Sequence, residues 1–552
     1  MRLSNIKNIF LAAITALIST GCSDYLDTAP YASISDASFW TGESDATLAL
    51  VGCYRSETGW SHDAFDTPQG LIYLDLAAGM GSEKENFTTN MASVNTLATN
   101  GNIQWYWGNA YVHIARHNTF LENIVNCPMD EKKKAEFIAE VKTLRSFFFY
   151  QLAFYFKDVP MPLIQLSLTE ANSIVQTPQA EVYDQVERDL LESIPNLPMT
   201  RSGDEYGRMT AATARAILGR VYLAREKWTE AANILKPIID SGAYQLDRRN
   251  GNESYEKLFQ VGGEYSPEMI YVIMGIKDKF TSSRNIYLSP ECLGGWHQFA
   301  VYNEQVKSYF CADGKTIDES SLYDENDPYM NRDQRLYASI FLPPLGSWTG
   351  TEFNGVTYDC YGDASSADRY NKFTLFNGYC PKKGLDPSIT EAMWSCYTPT
   401  PIIRYAEILL SYLEAANEAG QGVSQEMLDL TINDIRNRVN LPGYSSSELG
   451  SQMAVRKAVR AERRVELAFE KTVYWDLLRW NVAEKYMTGT TNPLFGIKIV
   501  NQEDGSKKIT NPVVNGRNTV VRYFRPRQYY YPLDWDDVRY HGLEQNPEWV
   551  EM

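Results

Sequence analysis

The chain has 552 residues, a formal net charge of −17 at pH 7, and 44% hydrophobic against 22% charged residues. That acidic balance excludes a nucleic-acid binder built on phosphate neutralisation and argues against polyanionic ligands in general. The eight cysteines are too scattered for a disulfide framework, while 36 Tyr and 12 Trp are ring types suited to wet, sugar-stacking surfaces as well as to a core.

Arg2 and Lys7 are the only charges before Asp24, and residues 9–18, IFLAAITALI, are apolar except for Thr15. This is a basic start and an apolar run of signal-peptide length, too short to span a bilayer. Ser19, Thr20 and Gly21 then precede Cys22, an arrangement that resembles a bacterial lipobox, with Ser19 where an aliphatic residue is usual. Residues 1–21 are therefore read as a lipoprotein signal peptide, Cys22 as the lipidated first residue of the mature chain, and 22–43 as its tether. Several acyl chains anchor stably where one does not, at ~0.8 kcal/mol per buried CH₂. After Cys22 no stretch is long and apolar enough to cross a membrane.

Residues 44–57 read as a capped helix. Residues 103–126 keep helical spacing through Trp107, Tyr111, Ile114 and Phe120, and 131–157 continue it to a DVPMP turn, so the pair predicts an αα-hairpin. In 213–239, Leu218-Gly219, Tyr222 and Ala231 fall on the offsets of a tetratricopeptide repeat, in which small residues let two helices approach closely. Residues 402–440 repeat the helix–turn–helix theme. The expected fold is mainly α, a tetratricopeptide-like scaffold of helical pairs spanning 44–244 and 401–552. Residues 245–400, rich in Gly, Pro, Asp, Asn and rings, predict loop-rich, partly β insertions that form the ligand face.

No CxxC pair, P-loop, GxGxxG after a strand, or GxSxG elbow is present, and no cofactor is implied. His113 and His117 share a helix face, but Ile114 stands where a zincin needs Glu, so the pair reads as structural or solvent-facing. Asp324-Glu325-Asn326-Asp327 lacks the Gly and Glu of a calcium loop and reads as a solvated turn. Cys360 and Cys380 are close enough in sequence to pair, and spacing does not decide it. Nothing local marks a carboxylate pair for glycoside hydrolysis.

Five stretches resemble the SusD/RagB family of outer-membrane nutrient-binding lipoproteins. They are AEFIAEVKTLRSFFFYQLAFYFKDVPMPL (135–163, with Lys157 at a usual Gly), NDPYMNRDQRLYASI (326–340), IIRYAEILLSYLEAANEAG (402–420), AVRAERRVELAFEKTVYWDLLRW (458–480) and the closing QNPEW (545–549). Dense Arg–carboxylate spacing, as in Arg463, Arg464, Glu466, Asp476 and Arg479, reads as scaffold ion pairing rather than catalysis. The resemblance implies a non-catalytic, cell-surface glycan binder. It implies a TonB-dependent outer-membrane barrel of the SusC type as partner, with this chain as its lid. A surface glycoside hydrolase and a peptide-binding lid stay open as alternatives.

A neutral sugar needs an exposed ring with amides or acids nearby. Two stretches outside the helical periodicity supply this: 75–105, with Asp75, Asn86, Phe87 and Trp105, and 285–303, where Gly294-Gly295 would bare Trp296 and His297 on a tight turn. These six residues are the candidate ligand contacts. For Trp296 the competing expectation is burial beneath its own loop. For Trp105 it is membership of the helix that Trp107 and Tyr111 bury.

Overall fold

The computed structural model describes residues 39–54, 74–83, 101–360, 367–368, 378–389, 393–487, 497–505, 507–510 and 524–549. Cys22, Asn86 and Phe87 lie outside these residues. Helices α1 (Glu43–Cys53), α2 (Gly101–Ile124), α3 (Glu131–Phe156), α4 (Gln179–Ser193), α5 (Ala211–Ala224) and α6 (Trp228–Asp240) pack on one another in chain order. Every residue of α3 from Thr143 to Phe156 is buried, as a helix apolar all round its axis must be. Asp130 caps α3 by accepting from the Lys133 amide at 2.9 Å.

The repeat pattern in 213–239 is explained by the seam between α5 and α6. A Cβ on Gly219 would stand 2.5 Å from Leu235 Cδ2, so only glycine lets the two helices meet at this distance. Arg145 ties three helices, donating to Asp189 on α4 at 2.8 Å and to Asn118 on α2 at 2.9 Å. At the far end of α3, Asn546 of the closing QNPEW donates to the Phe156 carbonyl at 2.9 Å, satisfying one of the carbonyls a helix end leaves open.

Between the two helical blocks the chain runs through α7 (Arg284–Leu288) and short antiparallel strand pairs. Strand β1 (Gly81–Glu83) pairs with β3 (Phe299–Val301), β2 (Met269–Ile273) with β6 (Thr400–Arg404), and β4 (Ile340–Phe341) with β5 (Cys380–Pro381). One boundary differs from the sequence reading: Ile402, Ile403 and Arg404 are strand, and the helix begins only at Tyr405. β-branched side chains buried on both faces beside Met269–Ile273 favour the extended form there. Helix α8 (Tyr405–Glu418) then packs on α6 and on α9 (Gln452–Glu466), joining the C-terminal block to the N-terminal one, and α10 (Thr472–Arg479) follows.

The charged motifs bury a network. Arg404 donates to Glu268 at 2.7 Å, to Glu466 at 2.6 Å and to Glu470 at 2.7 Å; Arg335 reaches Glu466 at 2.8 Å, and Arg438 reaches Glu268 at 2.9 Å. Desolvation would push Glu466 up, but the three surrounding guanidiniums hold it well below the usual carboxylate range. A second cluster joins Arg463 to Asp476 at 2.7 Å and Arg479 to Glu414 at 2.6 Å. These residues are buried and touch one another, so they build the scaffold. His113 and His117 are buried too: His113 stacks on Phe148 with centroids 4.7 Å apart, and burial pushes His117 down to about 3. Cys360 and Cys380 do not pair with each other: their thiols point at different carbonyls, those of Gly378 and Leu288.

Candidate functional site

The aromatic corner stands on a braced turn. Helix α7 presents Tyr287, half-buried, and the chain then turns through Glu291–Leu293 and Gly294-Gly295. Gly294 takes the left-handed φ of 86°, and a Cβ on Gly295 would lie 2.1 Å from the Ser289 carbonyl oxygen, so both glycines are required. Trp296 follows, 40% exposed. Its amide donates to the Ile286 carbonyl at 2.7 Å, and the Ile286 amide donates in turn to the Met393 carbonyl at 2.9 Å. That second bond brings Trp394 alongside, 57% exposed. The two indoles meet edge to face, with centroids 4.9 Å apart and planes at 84°, and Tyr287 meets Trp296 at 5.3 Å and 80°. On the same helix as Tyr287, Arg284 is buried and held by neutral acceptors: Thr398 Oγ1 at 2.8 Å, the Pro399 carbonyl at 3.0 Å and Thr400 Oγ1 at 2.6 Å. Its burial lowers its proton affinity. Exposed ring faces with a rigid base can stack on the C–H face of a sugar.

The candidates taken from sequence divide. Trp296 is at the surface, as the tight turn predicts. His297, next to it, is fully buried: Nδ1 bonds Asp368 Oδ1 at 2.8 Å, so it is a strut of the turn and not a ligand contact. Asp75 is also fully buried, accepting from the Lys471 amide at 2.9 Å, because the segment before β1 folds into a short π-helical turn, Leu76–Met80, packed under α10. Burial pushes its carboxyl up to about 7, against the Lys471 and Tyr474 amides that favour the charge. Trp105 sits on α2, as expected for that helix, yet its ring is 40% exposed, whereas Trp107 is 3% exposed and donates to Asp537 at 2.6 Å. Trp394 was not singled out from sequence. Its signal was a tryptophan in an aperiodic stretch, EAMWSCYTPTP, but nothing local ties it to Trp296, a hundred residues earlier. A cavity of about 450 Å³ lies apart from the corner's residues, between α2, residues 160–174 and residues 537–543. Its walls mix aliphatic residues and proline with the rings of Trp107, Tyr111 and His541 and the polar side chains of Asn118, Gln165, Asn172 and Asp537.

The grouping of Cys292, His297 and Asp368 has the residue types of a nucleophile triad. Its electrostatics are wrong for one: burial, then the charge of Asp368, pushes the Cys292 thiol well above its ordinary range, away from the thiolate. Among the described residues no group of three or more His, Cys, Asp or Glu is placed to hold a metal ion.

The sequence pattern of the SusD family matches residues 254–549, more than half of the chain. The chain belongs to the SusD family. A second pattern, described as starch-binding and associating with the outer membrane, matches residues 24–223 of this SusD-family protein. It is 26% identical over 495 residues to the SusD-like protein P2 of Formosa agariphila, covering 86% of this chain and 90% of the relative. The crystal structure of a SusD-like carbohydrate-binding protein from Bacteroides fragilis matches with a TM-score of 0.79 at 26% identity, over 91% of this chain and 99% of that one. A laminarin-binding SusD-like protein shares the fold at a TM-score of 0.64 and 22% identity, over 92% of this chain and 100% of that one. The SusD-family assignment places the protein among non-catalytic carbohydrate binders associated with the outer membrane, and sets aside the hydrolase alternative.

Proposed function

We propose that this SusD-family protein is a lipid-anchored cell-surface glycan binder that delivers its ligand to a TonB-dependent outer-membrane barrel of the SusC type, and that Trp296, Trp394 and Tyr287 form its sugar-stacking surface. The observation that supports the site is the pair of exposed indoles on a turn held by backbone bonds at both flanks. Because their planes stand 84° apart, a sugar lying on one ring meets the edge of the other, which suits a ligand that turns rather than a flat ribbon. The anchor is Cys22, and the chain from it reaches the packed body at Trp40, which meets Phe120 edge to face with centroids 5.5 Å apart.

The test of the site uses soluble starch, laminarin and a wider polysaccharide panel in affinity electrophoresis. Loss of one stacking ring costs on the order of 1–3 kcal/mol, by analogy with base–aromatic stacking. Trp296→Ala and Trp394→Ala should each weaken retention roughly tenfold, within the range of that cost, with the melting temperature nearly unchanged. A large fall in melting temperature with retention intact would place the rings in the core and remove the assignment. For the partner, gentle solubilisation of outer membranes should bring a much larger β-barrel with the native lipoprotein. Recovery as a free monomer, under conditions that keep other lipoprotein–barrel pairs together, would count against the lid.

A further inference from the structure

We infer that Asp368 is the positioning residue of the aromatic corner: one carboxylate bolts both ends of the turn that presents Trp296. This rests on Trp296 being a sugar-stacking ring. Asp368 Oδ1 accepts from the Glu291 amide at 2.7 Å and from His297 Nδ1 at 2.8 Å, while Oδ2 accepts from the Cys292 amide at 2.9 Å. The carboxylate and the imidazole are both fully shielded from solvent. The first two residues of the turn and its last are thus held by a side chain some seventy residues downstream.

Bonds to an ionised acceptor are the stronger kind, and these three are short. Desolvation works against the charge on Asp368, but the His297 bond and the Cys292 amide outweigh it and hold its carboxyl below the usual range. Backbone bonds carry the constraint onward. His297 donates through its amide to the Ser289 carbonyl at 3.0 Å and Gln298 to the Tyr287 carbonyl at 2.9 Å, closing the turn back onto α7. His297 sits at a positive φ of 46°, a backbone conformation a β-carbon makes uncomfortable and that its ring bond to Asp368 holds in place. Trp296, between Gly295 and this strut, has its direction set from both sides. Asp368 is shielded from any ligand and acts through the turn.

The test pairs a ligand-free readout with a binding one. In Asp368→Asn, one acceptor oxygen becomes an NH₂ group facing buried donors. Hydrogen exchange at the Glu291 and Cys292 amides should quicken at least tenfold in the free protein. Retention on whichever of soluble starch, laminarin or the wider panel holds the wild type should fall at least fivefold. In combination with Trp296→Ala, Asp368→Asn should add little, since it acts through that ring; a merely structural loss would add in full. His297→Leu removes one of the three bonds and carries the same test if Asp368→Asn does not fold, with a smaller loss expected. Unchanged exchange at the Glu291 and Cys292 amides in Asp368→Asn, or at the position-297 amide in His297→Leu, overturns the clamp. Faster exchange with full retention, while Trp296→Ala alone loses tenfold, overturns the positioning role and leaves the site standing. If Trp296→Ala leaves retention unchanged, the site reading falls and the positioning role falls with it, whatever the exchange rates show.

Discussion

Replacing Asp75 with asparagine is expected to stabilise the protein, and to do so more as the pH rises. The carboxyl is fully buried, with Oδ2 on the Lys471 amide and Oδ1 without a partner among the described residues. Burial is the largest cause that moves its pKa up to about 7, from the ordinary carboxylate range of about 4. The sign follows from proton binding. Below about pH 4 both folded and unfolded chains hold the proton and nothing is lost. Between that point and about 7 the folded chain still holds it and the unfolded chain does not, so stability falls as pH rises, and above about 7 the full penalty applies. At about 1.4 kcal/mol per unit, the span from pH 5 to pH 7 corresponds to roughly 2–3 kcal/mol. Asparagine keeps an oxygen for the Lys471 amide and carries no charge. Urea unfolding of both proteins at pH 5, 6, 7 and 8 should show the variant gaining about 2–3 kcal/mol on the wild type across the series, then levelling off. Parallel stability curves, or a wild type that gains on the variant above pH 7, would refute the burial argument.

Other expectations follow from the packing. Glu466→Ala leaves Arg335, Arg404 and Arg438 short of a buried partner and should cost on the order of 3–5 kcal/mol in denaturant unfolding; a loss under about 1 kcal/mol would mean that water or neighbouring acids replace it. Gly219→Ala drives a methyl to 2.5 Å from Leu235 and should cost about 1–3 kcal/mol, much of it recovered by adding Leu235→Ala if the clash is the cause. Lys157 ends α3 at a φ of 69°, so Lys157→Gly should be neutral to stabilising by about 1 kcal/mol; clear destabilisation would show that its side chain over Tyr530 matters more. Cys22→Ser should release the protein from the membrane fraction or leave an unprocessed precursor, and mature, surface-exposed, lipidated variant would sink the anchor.

Much of the scaffold was legible in the chain because its signals are local. Helical periodicity marks 103–126 and 131–157, the offset of Gly219 and Ala231 marks one helical seam, and the Arg–Glu spacings mark ion pairs that the fold buries. The family motifs are legible for the same reason: they are the residues with little freedom to change, such as Arg145 across three helices or Asn546 on the end of α3. Even the departure at Lys157 marks a place where the backbone takes a positive φ. The site was legible only in part. Gly294-Gly295 announced a tight turn, and Trp296 is at the surface of it. What the chain did not announce is which neighbour of a turn residue faces solvent. His297 turns inward because Asp368, from a distant segment, meets it there, and Asp75 lies buried because α10 covers it. Trp394 joins Trp296 through backbone bonds from Ile286 to Met393 and between Ser282 and Cys396. A helix face is set by bonds four residues apart and can be read along the sequence; a binding surface is set by contacts a hundred residues apart, and only the folded chain brings them together.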